Sequence, residues 1–148
     1  MRNATAVRDI GVCCGVVIAA LYVVGAVSHG QLRHFVQTLP LWVPVALAVR
    51  RSPWVTWSAM PLLLFWLLIM ALVWTFLLGW SRIVTGHYSP TEVGMTIVIG
   101  IACIAGLWRS GAVRTNARWG VGMVVFSVMA AAELVAFRIS ILPGIGDR

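Results

Sequence analysis

The stretch Leu62-Leu63-Leu64-Phe65-Trp66-Leu67-Leu68, continuing through Trp74 to Trp80, carries no charge, and its reading decides the fold. With its flanks it forms an apolar segment over 58-80, and about 20 such residues cross a bilayer as one helix. On either side of it, further apolar segments occupy 10-28, 31-49, 90-108 and 120-138. The expected fold is all-α: a polytopic membrane helix bundle with five transmembrane helices, forming a single integral membrane domain over 1-148. The second segment is the weakest, because it contains Arg33, His34, Gln37, Pro40 and Pro44. If it did not cross, four helices would remain.

Composition points the same way. Of 148 residues, 61% are drawn from AVILMFWYC and 10% are charged, whereas soluble domains carry roughly 45–50% apolar and about 25% charged residues. So little chain is left between the segments that a nucleotide-binding fold, a separate catalytic domain or a sizeable ligand-binding module in water is excluded.

The formal charge of +7 comes from arginine alone, set against Asp9, Glu92, Glu133 and Asp147. The arginines cluster between apolar segments, where short cytoplasmic loops hold an excess of positive charge. Five spans with the N-terminus inside put Arg2, Arg8, Arg50, Arg51, Arg109, Arg114 and Arg118 in the cytoplasm and Arg33, Arg82, Arg138 and Arg148 outside. Four spans leave the two sides nearly even. The tryptophans agree, since Trp favours the interfaces: Trp54, Trp57, Trp108 and Trp119 fall at the cytoplasmic boundary and Trp80 at the outer one. The expected location is a bacterial inner (plasma) membrane with the C-terminus periplasmic or extracellular. The first segment exceeds the 7–15-residue core of a secretory signal and reads as an uncleaved helix. No basic stripe is interleaved with exposed aromatics, so nucleic acid is not an expected partner. The expected partners are the lipid bilayer and other membrane subunits or a second copy of the chain.

Cys13, Cys14 and Cys103 lie inside apolar segments without metal-site spacing and read as small core residues. His29, His34 and His87 all fall toward the outer side, but no carboxylate spacing completes a ligand set, so neither metal nor cofactor is expected. His29-Gly30 reads as a tight hairpin, with Gly30 supplying a left-handed turn. Gly11, Gly15 and Ala19 form a small-residue face suited to helix packing.

Two places could carry chemistry. Gly79-Trp80-Ser81-Arg82-Ile83-Val84-Thr85-Gly86-His87-Tyr88-Ser89-Pro90-Thr91-Glu92 is locally similar to the last motif of the type 2 phosphatidic acid phosphatases. The resemblance implies phosphate binding by Arg82 and an activated imidazole at His87. His87 stands one position early, so Tyr88 occupies the place of the family's histidine. Counted from His87 itself, Thr91 stands where the family has its acid, with Glu92 one later, and the upstream motifs are absent. The same residues also read as a helix start, with Ser89 as N-cap, Pro90 at N1 and Glu92 completing a capping box. Arg82 suits the end of the preceding helix.

Glu133 is the other place. It falls in the outer half of the last segment, where an unpaired carboxylate costs ~2.5–3.5 kcal/mol on insertion scales. Arg138 is rotated about 140° away on the same helix, which leaves Arg33 or Arg82 as expected partners. The first functional expectation is a small non-enzymatic membrane protein, either an accessory subunit or a self-associating bundle. The second is a small transporter or channel component using Glu133, and the third a lipid-phosphate phosphatase.

Overall fold

In the computed structural model, residues 2–83, 88–113, 118–143 and Ile145 are described. His87, Arg114 and Arg148 lie outside them. Six α-helices make up the described fold: α1 (Arg2–Val27), α2 (Gln31–Thr38), α3 (Trp42–Val49), α4 (Val55–Leu77), α5 (Pro90–Ser110) and α6 (Trp119–Ser140). A single 3-10 turn, Leu39–Leu41, joins α2 to α3. Taken together, 31–49 counts as one span, so five helices are long and apolar enough to cross a membrane.

Several boundaries differ from those expected, each for a local reason. α1 starts at Arg2 rather than near residue 10, because Ala6 and Val7 are buried in the core and packing carries the helix beyond its apolar run. The second segment is one span over 31–49, as expected, but its α-helical winding breaks into a 3-10 turn at Leu39–Leu41: Pro40 sits in that turn and Pro44 in the first turn of α3, and neither can donate a helical hydrogen bond. α4 begins at Val55 and stops at Leu77. Gly79 takes φ +76°, its N–H donates to the Phe76 carbonyl and that of Trp80 to the Thr75 carbonyl, which is the paired closure that ends a helix at a left-handed residue. α5 runs on to Ser110, and α6 spans Trp119 to Ser140.

The first hairpin is also built differently from the expectation. Gly30 has φ −97°, and the left-handed residue is His29 at φ 59°. Arg51 does the same after α3, at φ 53°, with its N–H bonded to the Ala48 carbonyl and that of Ser52 to the Leu47 carbonyl.

The spans close a ring. α1 packs on α5, α5 on α4, α4 on α6, and α6 on α2; α2 and α3 return to α1, and α3 also meets α4. Glycines set the close approaches. A Cβ on Gly11 would collide with Ala48 of α3, one on Gly106 would meet Leu63 and Cys13, and one on Gly122 would run into the Trp57 ring. Gly15 has open space around it, and Ala19 is exposed. Cys14 and Cys103 are buried and Cys13 half-buried, all three as free thiols.

The bundle has two ends. The N-terminal end holds the 50–54 turn and the Arg109–Asp9 ion pair at 3.3 Å, which at its exposure contributes no more than about 1 kcal/mol. There, too, Trp57 and Trp119 meet edge to face at 5.6 Å. The hairpin end holds the α1–α2 turn, the start of α5 and the end of α6.

Candidate functional site

α6 turns a stripe inward at helical spacing: Met129, Glu133, Ala136 and Ser140 are all buried. Within that stripe Glu133 is 1% exposed, and neither carboxyl oxygen has a hydrogen-bond partner among the described residues. The polar side chain acting on it is Trp66 of α4, whose indole nitrogen is itself buried without a closed hydrogen bond. Burying a carboxyl group without such compensation is costly. Arg33 and Arg82, expected as ionic partners, do not pair with it. Arg82 is exposed beyond α4 and Arg33 stands on α2 facing other groups, while Arg138 is exposed on α6. Among the described residues, no ion pair joins Glu133 to any of the three.

Toward the hairpin end, α2 lays polar side chains along the same seam. Gln37 is 2% exposed, and its Nε2 donates to Ser140 Oγ at 2.9 Å. The Ser140 hydroxyl in turn donates to the Phe137 carbonyl at 2.7 Å. Thr38 Oγ1 donates to the Phe35 carbonyl at 2.9 Å and lies 3.2 Å from the Tyr22 hydroxyl. Three buried atoms on this helix remain without partners: Arg33 Nε, His34 Nδ1 and Gln37 Oε1. α2 can lie this close to α1 because Gly25 faces it; a Cβ there would come within 3.1 Å of the His34 ring.

At the start of α5, Ser89 and Glu92 form the expected capping box. Glu92 Oε2 accepts from the Ser89 N–H at 2.7 Å, and Ser89 Oγ accepts from the Glu92 N–H at 3.3 Å. Tyr88 packs on Phe76 with ring centroids 6.0 Å apart. Burial, reinforced by the Glu92 charge and opposed by Arg33, pushes the Tyr88 phenol above its ordinary value. Arg33, Tyr88 and Glu92 therefore share one electrostatic neighbourhood, with His34 behind them.

Of the site residues expected from sequence, Glu133 and Arg33 face the interior seam, whereas Arg82 does not; His87 is outside the described residues. Glu92, the nearest acid in the phosphatase-like reading, is engaged in starting α5. His29 is exposed at the hairpin, apart from the inward His34. Gln37, Ser140 and Trp66 were missed as site residues. Gln37 could have been found from its polar side chain within an otherwise membrane-length segment. Ser140 could not, since the apolar run ends before it. The packing glycine Gly106 had a signal, the small-residue spacing Ala102, Gly106, Ser110, and all three are buried.

Among the described residues, no group of three or more His, Cys, Asp or Glu side chains is placed to hold a metal. Neither family models nor curated proteins nor solved structures give a match to this chain.

Proposed function

We propose that this chain is a small, non-enzymatic multi-pass membrane protein that serves as a component of proton-coupled transport, with Glu133 as its proton-carrying group. The observation that supports it is the burial of Glu133 with both carboxyl oxygens unpartnered. An acidic group at that depth must be accompanied by a proton or a cation. A cation needs several oxygen ligands, but the polar neighbour of Glu133 is the donor Trp66. A proton needs no other ligand. On this reading the bundle lies in a bacterial inner membrane, with its N-terminal end in the cytoplasm by the arginine distribution, so the hairpin end faces outward.

The test is proton movement in sealed vesicles containing the purified protein and a trapped pH dye. Wild type is expected to dissipate an imposed pH gradient, and Glu133→Gln, folded as judged by gel filtration and melting, to lose that activity. Equal rates in the two proteins would overturn the assignment.

A second reading, self-association, is favoured by one feature of α1. Val12, Val16, Ala19 and Val23 are exposed in a row beside the open Gly15, a surface of small side chains that a second helix could approach. Gly15→Leu has room to fold and is expected to convert a dimer to a monomer in mild detergent. A monomeric wild type would dismiss this reading.

A further inference from the structure

We propose that the seam between α2 and α6 is a hydrated path leading protons from the hairpin end of the bundle to Glu133, with the break at Leu39–Leu41 letting α2 contribute its polar face. The inference rests on the reading of Glu133 as a proton carrier and adds the route and its direction. Arg33 Nε, His34 Nδ1 and Gln37 Oε1 are buried on one helix without partners, and buried polar atoms of this kind are satisfied by ordered water. Along α2 they run in order from Arg33 to Gln37, which is tied to Ser140 at 2.9 Å.

From Ser140 the remaining distance to Glu133 is two turns on one face of α6, about 10 Å along the axis. A few waters spaced like ordinary hydrogen-bonded oxygens would cover it. The buried residue on the same face between them is Ala136, whose side chain is a single methyl. The helices packed on α6 bring Arg33 and His34 from α2, and α4 is free of charged side chains over its whole length; Arg138 on α6 itself is exposed.

The test uses the full-length protein in lipid vesicles, with water as the probe. The carbonyl stretch of the Glu133 acid is identified as the infrared band missing from Glu133→Gln, and its shift is timed after transfer to deuterated buffer. Ala136→Leu should plug the path and slow exchange on the order of tenfold by displacing its waters. Ala132→Leu, on the exposed face of the same helix, should leave the rate unchanged. Gln37→Leu, close in volume, should also slow exchange and replaces Ala136→Leu if that variant does not fold. Exchange equally fast in folded plugged variants and wild type overturns the path. Plug-sensitive exchange together with vesicles whose proton movement ignores Glu133 would leave the path standing and remove the transport reading. Absence of the band at every pH removes both.

Discussion

At the residue scale, Glu133 separates a structural account from a functional one. A carboxyl retained as an ion-pair partner would be missed on removal, and truncating one member of a buried pair costs about 3–5 kcal/mol. The oxygens of Glu133 have no such partner. Glu133→Leu is therefore expected to stabilise the protein by about 2 kcal/mol, since a carboxyl at membrane depth is replaced by a favourable side chain. Its melting temperature in detergent should rise, and a substantial fall would show that a structural partner has been overlooked. His29 gives a second test. A side-chain-bearing residue in the left-handed region costs about 1–2 kcal/mol, and His29 stands at φ 59°. His29→Gly should gain about 0.5–1 kcal/mol after the extra freedom of glycine in the unfolded chain is subtracted. An unchanged or lowered melting temperature would mean that the His29 side chain makes a contact worth the strain.

At the element scale, the two glycines that look alike in sequence behave differently. Gly11 lies against Ala48 and Gly15 faces open space. Gly11→Ala is expected to destabilise the bundle by about 1–3 kcal/mol through overpacking, while Gly15→Ala should be neutral or slightly stabilising because alanine is the better helix former. The same comparison explains what was legible. Apolar segments, the Ser89-Pro90-Thr91-Glu92 start and the interfacial tryptophans are local signals, and the helices follow them. The left-handed closure at Gly79 was equally local, though the run of apolar residues through Trp80 concealed it. The partners of Gly11, Gly106 and Gly122 depend on which helices become neighbours, and a single strand of sequence does not carry that. For the same reason Glu133 was identifiable as unusual, but its isolation from Arg33 and Arg82 was not. The break in the second segment was visible as Pro40 and Pro44, and its consequence, a short polar helix delivering Gln37 to Ser140, emerges only on assembly.

At the scale of the whole molecule, the arginine distribution sets an expectation about orientation that a fusion assay tests directly. The 50–54 turn belongs to the N-terminal end, so a reporter enzyme active only outside the cytoplasm should be inactive when fused after Arg51 and active when fused after Ser140. The opposite pattern would invert the bundle, and activity at both sites would mean that 31–49 does not cross. Toward the other end Glu133, Gln37, Ser140 and His34 line one seam, whereas Thr56, Ser58 and Ser110 are buried toward the N-terminal end. Leu62, Leu63, Ile10 and Cys14 belong to the close-packed apolar body of the bundle. The central claim is that Glu133 gains and loses a proton within this body. Its most direct test is an infrared pH titration of the protein in lipid, taken as the difference between wild type and Glu133→Gln. The account predicts an acid carbonyl band, present in wild type alone, that disappears and returns as pH is cycled; identical spectra across the same cycle would contradict it.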